Sequence, residues 1–414
     1  MSDLVIVGNG PAAVAAIERF RSLDSRSRVT LVSKEEVPFY SPCPLAEYVE
    51  GSVARERLFL RPASFYDDHG VEFLAGATAV GLDRGALVIS RAGAVRSIAW
   101  HKLLVATGAV AARPPIEGLE GTAGVFALKT LSDAEGIIAL SQRARRAVVI
   151  GSGFIGLEAA QALRRLGLDV TLIEALDQVL PQMLDVDLAE IVRSRLEANG
   201  VKVLCSALVR AIESEHGAVR AVRLDTGVIA ADLVVIATGV RPDLRWLAGS
   251  GIATDQGILV DASMATSVPG VWAAGDVAQA PAWDGRHRLI PTWPNAVSMG
   301  SIAGVSMAGG DTRHGGTDIV NVVRVFGMAV ASFGERGNGE SHDFAGAGAR
   351  RRVLIRDGRI SNGQFIGDIS GSGALLEMMR KGVDVSRLGD KIARPGVGPA
   401  WSMPRPPKPG RHAA

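Results

Sequence analysis

A chain of 414 residues has room for two or three domains, each with its own core. Hydrophobic residues make up 47% and charged residues 21%, and the net charge of +2 gives no pull toward nucleic acid or a membrane surface, so neither is expected as a partner. The two distant cysteines, Cys43 and Cys205, exclude a disulfide framework. No apolar run reaches the ~18 residues that span a bilayer. With no signal-like N-terminus, "MSDLVIVGNG" enters a strand at once, and a cytoplasmic protein is expected.

The first unit, "LVIVGNGPAAVAAIERFRSL", is a short apolar run, then glycines, then a helical pattern. Gly8, Gly10 and Ala13 keep the G-x-G-x-x-G/A spacing, with Pro11 and Ala12 between them. Gly8 permits a tight turn, Gly10 lets the backbone approach a pyrophosphate, and Ala13 allows close helix–strand packing. The helix start then offers N–H groups and a positive dipole end to phosphates. A second strand, "RVTLV", ends before Ser33, where an acidic ribose partner usually stands. Glu35 and Glu36 lie just beyond, and Glu35 is the candidate. The stretch "FYSPCPLAEYVEG" then places Cys43 between two prolines. An apolar strand, "LLVATGA", closes the unit and carries Thr107 and Gly108.

The plan repeats in "AVVIGSGFIGLEAAQALRRLGLDVTLIE", residues 147–174. Gly151, Gly153 and Gly156 match fully, with Phe154 and Ile155 opening the helix and Glu158 on it. Strand "DVTLI" ends in Glu174, whose carboxylate would accept from both ribose hydroxyls and repel a 2′-phosphate, favouring NADH over NADPH. Its closing strand, "LVVIATGVRP", carries Thr238 and Gly239. Cys205, in "VKVLCSALV", is expected as a small buried side chain of an apolar strand. Two apolar runs then flank a turn and end in Gly275-Asp276, and a helix is expected from about Asn295 to Ala308. From about Thr317 the pattern is strand-like, followed by a short helix in "GALLEMMRKG" and a Pro-rich basic tail. Arg350, Arg351 and Arg352 are expected as a solvated run before a strand. The seven histidines show no ligand spacing, so no metal site is expected, and His287 and His314 are placed in loops. The fold class is α/β: two Rossmann-like dinucleotide-binding domains plus a C-terminal α+β domain. Two dinucleotide folds in one chain imply two nucleotides, with hydride transfer between them.

In the order of these motifs, including "GVWAAGD", the chain resembles the two-dinucleotide-binding-domain flavoproteins of the pyridine nucleotide–disulfide oxidoreductase superfamily. The resemblance implies FAD in the first loop and NADH in the second. It also implies a ribityl contact from Gly275 and Asp276, and a helix start at Pro294 and Asn295 aimed at the flavin pyrimidine edge. Expected domains are 1–112 and 246–316 for FAD, 113–245 for NAD, 317–393 for the C-terminal domain and 394–414 for the tail. That C-terminal domain implies a homodimer or a subunit of a hetero-complex. Cys43 has two readings. "CPLAEYV" looks like the single-cysteine NADH oxidase and coenzyme A-disulfide reductase branch, with a redox thiol and a small sulfur acceptor. "PFYSPCPL" also looks like the ferredoxin- and rubredoxin-reductase, nitrite-reductase and 2-oxoacid-dehydrogenase branch, which passes electrons to a protein partner without a thiol. A nucleotide-sensing protein without catalysis is a third reading.

Overall fold

The computed structural model describes residues 2–397 except 84, 284, 317, 318 and 347, so the tail expected over 394–414 lies outside the described residues from 398 onward. Strand β1 (Ser2–Val7) runs into helix α1 (Pro11–Arg21), and β2 (Val29–Val32) returns parallel to β1, Val5 opposite Thr30. Leu4, Val5 and Ile6 are wholly buried, as a strand covered on both faces must be. Short helices α2 (Leu45–Val49) and α3 (Phe65–Asp68) lead to β3 (Val71–Leu74), which extends the sheet beyond β2. A meander follows: β4 (Ala77–Asp83), β5 (Ala86–Arg91) and the long β6 (Ala94–Val105). The first half of β6 pairs antiparallel with β5, and its second half runs parallel to β1, Leu103 opposite Val5.

After β7 (Val110–Ala111) come β8 (Val125–Ala127), α4 (Leu131–Ser141), β9 (Arg146–Ile150), α5 (Phe154–Arg165) and β10 (Asp169–Ile173). Helix α4 starts in a capping box: Asp133 N–H donates to Thr130 Oγ1 at 3.1 Å, and Thr130 N–H donates to Asp133 Oδ2 at 2.9 Å. Helix α6 (Val186–Ala198) precedes β11 (Val201–Leu204). Strands β12 (Val209–Glu215), β13 (Ala218–Leu224) and β14 (Gly227–Ala230) form a separate antiparallel meander before β15 (Leu233–Ile236). The second sheet, ordered β11-β10-β9-β15-β8, is parallel throughout. Both expected strand–glycine–helix units are thus present, each with its Ala-Thr-Gly strand beside the first.

Strand β16 (Val240–Arg241) pairs with β7. The chain then forms β17 (Ile258–Leu259), β18 (Val271–Ala273), β19 (Ala278–Pro281) and β20 (His287–Arg288). Strand β18 adds to the first sheet, Val271 opposite Leu103. Helix α7 (Trp293–Met307) starts two residues before its expected first turn and packs along α1. Two glycines permit that contact. A Cβ on Gly300 would lie 2.1 Å from the Ala12 carbonyl oxygen, and one on Gly304 would lie 2.5 Å from that of Ala16.

The chain divides into two compact units, one of residues up to 175 with 201–318, the other of residues 176–200 with those from 319 onward. In the second unit an antiparallel sheet runs β21 (Val320–Val325), β22 (Met328–Gly334), β25 (Arg359–Ile366), β24 (Ala349–Arg356), β23 (Glu340–Gly346) in spatial order. Helix α8 (Ser372–Arg380) covers a core that includes Phe333, Val353, Phe365 and Met378.

Three expectations are corrected here. Arg350–Arg352 lie inside β24, not in a solvated run before it. Strand alternation turns Arg351 into the interior, where it pairs with Asp368 at 2.7 Å and lies over the Phe365 ring. Arg352 reaches Asp343, Asp187 and Asp185 at 2.7, 2.9 and 3.0 Å. Cys205 stands one residue past β11 and is half-buried, because the strand ends at Leu204. His287 belongs to β20 rather than a loop, since its backbone pairs with Pro281.

Gly300→Ala should lower the unfolding free energy of the first unit by about 2 kcal/mol or more, because the new methyl meets backbone. Gly373→Ala, whose Cβ would meet open space within α8, should be neutral or stabilising. Chemical denaturation of both variants beside the wild type checks the contrast.

Candidate functional site

The first turn forms where β1 hands over to α1. Gly8 has φ +105°, and a Cβ there would sit 2.2 Å from the Ala106 carbonyl oxygen on the neighbouring strand. Only glycine fits both demands. Gly10 is the N-cap of α1, faces open space and makes no side-chain cap, and Pro11 begins the helix. No acidic residue occupies that first turn, so its positive dipole end is not neutralised from within. Ala12 and Ala13 are buried beneath it. Thr107 follows β6, and its hydroxyl is buried with no hydrogen-bond partner among the described residues. Gly108, at φ +65°, completes the strand end.

Two later segments converge on this turn. Gly275 adopts φ +81°, and a Cβ on it would come 3.1 Å from that of Ala12 and 3.6 Å from that of Ala296. The first glycine turn, the Gly275-Asp276 turn and the start of α7 therefore meet at one place. Asp276 faces Lys129, Nζ to Oδ2 3.7 Å. Helix α7 has no side-chain cap from Thr292 and no acid in its first turn, where Pro294 and Asn295 lie. Trp293 stacks on Phe39 with ring centroids 5.8 Å apart. Glu35 is tied elsewhere: its carboxylate accepts from the Tyr40 hydroxyl at 2.8 Å, and that hydroxyl accepts from the Leu131 N–H at 2.9 Å. Burial and the Glu35 charge hold the Tyr40 phenol far above its usual range.

The second turn repeats the first. Gly151 has φ +101°, with a Cβ position 2.5 Å from the Ala237 carbonyl oxygen. Gly153 is the N-cap of α5, open and uncapped, ahead of Phe154 and Ile155. Gly156 is pressed on the turn itself, its Cβ position 1.9 Å from the Gly151 carbonyl oxygen. Glu174 ends β10 and is 8% exposed. Its Oε2 accepts from the Ser152 N–H at 2.8 Å and the Ser152 hydroxyl at 2.7 Å, so the loop itself aims the carboxylate. Thr238 donates to the Ala112 carbonyl at 3.2 Å, and Gly239 follows at φ +103°.

Cys43, in the loop before α2, and Glu158, on α5, lie within electrostatic reach of each other. Cys43 is exposed, and its N–H donates to Ser41 Oγ at 3.3 Å. Packing on its protein side raises the thiol pKa; the Ser41 hydrogen bond and Lys129 oppose that, and Glu158 and Glu47 add to it. Burial, and then the Glu47 charge, lift Glu158 from 4.5 to about 7. Arg165 on α5 pairs with Glu50 at the end of α2 and ties the two helices together. The structure thus brings Cys43, Glu47, Glu158, Lys129 and Asp276 into one neighbourhood. Sequence reasoning missed Ser152 and Lys129; Ser152 could have been found as the polar residue inside the second glycine loop. No cluster of His, Cys, Asp and Glu suited to a metal occurs among the described residues.

Residues 2–300 match the family described as pyridine nucleotide-disulphide oxidoreductase, and the chain belongs to it. It is 32% identical over 334 residues to the epsilon subunit of the NADH-dependent phenylglyoxylate dehydrogenase of Aromatoleum evansii, covering 80% of this chain and 78% of that one. It is 33% identical over 313 residues to a rubredoxin-NAD(+) reductase of Ectopseudomonas oleovorans, covering 75% and 80%. The solved NAD-dependent persulfide reductase of A. fulgidus superimposes with a TM-score of 0.86 at 27% identity, covering 96% of this chain and 81% of that one. The chain is an NADH-dependent flavoprotein oxidoreductase, and its cofactors are FAD and NADH. Two open glycine turns, each at an uncapped helix start, and the unpartnered Thr107 hydroxyl fit such nucleotides.

Glu174→Ala should raise KM for NADH at least tenfold and bring the NADH-to-NADPH ratio of kcat/KM toward one. Steady-state kinetics with both nucleotides checks it. Glu158 is the group to titrate. Its folded pKa lies above the unfolded one, so the stability it adds is complete below about pH 4.5 and is lost as pH rises through about 7. Relative to wild type, Glu158→Gln should gain of order 2–3 kcal/mol between pH 5 and pH 8, read by urea denaturation.

Proposed function

We propose that the chain takes reducing equivalents from NADH and delivers them to a redox protein partner, with Cys43 outside the electron path. FAD, when bound, accepts the hydride from NADH and releases the electrons onward. Gly8, Gly10, Pro11, Ala12, Ala13, Thr107, Gly108, Gly275, Asp276, Pro294 and Asn295 would hold it, and Glu35, expected for the ribose, is instead engaged by the Tyr40 hydroxyl. Gly151, Gly153, Phe154, Ile155, Gly156, Glu158, Glu174, Thr238 and Gly239 would hold NADH. The FAD domain comprises 1–112 and 246–316, the NAD domain 113–245 and the C-terminal domain 317–393. We place the protein in the cytoplasm, as a homodimer or as a subunit of a hetero-complex.

One observation carries the choice of acceptor: the surroundings of Cys43. A thiol that shuttles electrons works as a thiolate, which needs a positive neighbourhood. Cys43 has two carboxylates near it, Glu158 and Glu47, and one cation, Lys129, which already faces Asp276. Cys205 lies past β11 in the second sheet, and the chain has no third cysteine to resolve a disulfide. The phenylglyoxylate dehydrogenase subunit and the rubredoxin reductase support this reading by their names. The persulfide reductase favours the second reading, a Cys43 thiol that cleaves a small disulfide or persulfide.

Anaerobic titration of wild type and Cys43→Ser with NADH separates the two. The expected result is two electrons per flavin in both proteins, with unchanged reduction of a rubredoxin- or ferredoxin-type acceptor. Four electrons in wild type, with a long-wavelength charge-transfer band that Cys43→Ser lacks, would establish the thiol mechanism instead.

A further inference from the structure

Helix α7 begins without a conventional cap. A Ser, Thr or Asp at the N-cap usually accepts from an amide of the first turn and fixes where the helix starts. The Thr292 side chain does not do so. The start is fixed from another direction. Asn295, in the first turn and 6% exposed, donates from Nδ2 to the Ile290 carbonyl at 2.9 Å, reaching back past the N-cap. That bond sets the amide orientation, so Oδ1 faces away from Ile290, and it lies 3.2 Å from Nε2 of His314. His314 is 8% exposed and stands seven residues beyond the last residue of α7, so the chain after the helix returns to its beginning.

The Gly316 and Asn295 contacts fit one protonation of the ring. The Gly316 N–H can only donate, and it lies 3.2 Å from Nδ1, so Nδ1 accepts. A neutral ring then carries its proton on Nε2 and donates to Asn295, with the Pro281 carbonyl as a further acceptor for the ring. Burial favours the neutral form. The segment that holds the ring is itself held. The His314 N–H donates to the Ala262 carbonyl at 2.7 Å, and Gly316, at φ +88°, leaves no room for a Cβ, which would lie 2.4 Å from the Trp283 nitrogen. The bonds run in one direction, Gly316 to His314 to Asn295 to Ile290. They secure the helix start while the Thr292 hydroxyl takes no amide of the first turn.

We propose that His314 is a positioning residue for flavin reduction: it fixes Asn295, and through it the first turn of α7, whose positive end meets the Gly275 turn and the first glycine turn. This rests on the proposed placement of FAD at those three segments. A helix start that shifts or frays moves partial positive charge away from the place where reduction adds negative charge. Loss of His314 therefore makes the bound flavin harder to reduce, without touching it.

The test compares wild type with His314→Ala, His314→Gln and His314→Asn, each purified with FAD. All are reduced anaerobically beside a reference dye, and the reduced-to-oxidised flavin ratio is read at one solution potential. The Gln amide can donate where Nε2 stands, whereas the shorter Asn amide reaches only the place of Nδ1. His314→Gln should stay within twofold of wild type, and His314→Ala and His314→Asn should fall at least threefold. A wild-type ratio in His314→Ala overturns the inference, and so do equal ratios for Gln and Asn. If His314→Ala does not retain FAD, the Gln and Asn pair decides alone. Failure of wild type to bind FAD or to be reduced by NADH would refute the proposed function itself, which is visible before any variant is compared.

Discussion

The carbonyl oxygen of Ala106 lies where a side chain on Gly8 would have to be, and that of Ala237 lies where one on Gly151 would have to be. Both glycines also hold a backbone angle that side chains disfavour. Everything at the site depends on this pair of close approaches. They let β1 and β9 turn sharply into α1 and α5 beside the strands that end in Ala-Thr-Gly. The helix starts then point their unspent amides and positive dipole ends at open space. A parallel sheet buried on both faces makes the arrangement rigid, because its strands have no solvated side on which to relax.

Once two nucleotides are brought together, the electrostatics between the turns decides which chemistry follows. Glu158 sits on α5, and Cys43 and Glu47 belong to the loop before α2 and to α2 itself. Burial and the Glu47 charge disfavour ionisation of Glu158, and packing on one side together with the Glu158 and Glu47 carboxylates disfavours ionisation of Cys43. Lys129 is the counterweight, but Asp276 shares it. The neighbourhood suits a neutral thiol and a carboxyl that titrates near physiological pH. On the proposed reading, this is why Cys43 stays outside the electron path.

Much of this was legible from residue order. Glycine spacing marked both turns because the steric demand falls on single positions, and short apolar runs and period-3.6 patterning marked the flanking strands and helices. Glu174 was legible because it ends a strand at a set distance from its glycines. Its orienting partner, Ser152, showed only as a polar residue inside the glycine loop, and its bond across 22 residues appears in the fold alone. Lys129 and Asp276 are 147 residues apart, and Asn295 and His314 meet only because the chain doubles back. Arg351 misled for a related reason: three arginines in a row suggest solvent, but strand alternation must turn the middle one to the opposite face.

The two turns also differ. In the second turn the third small residue is Gly156, pressed against the Gly151 carbonyl, and α5 settles directly onto its strand. In the first turn Ala13 takes that place and carries a methyl that Gly156 could not. Gly300 and Gly304, one helical turn apart on α7, accept the backbone of α1 at Ala12 and Ala16. Close packing of α7 on α1 carries the α7 start to the same place as the α1 start, beside Gly275. The glycine pair on α7 thus lets a second helix end lie beside the first glycine turn.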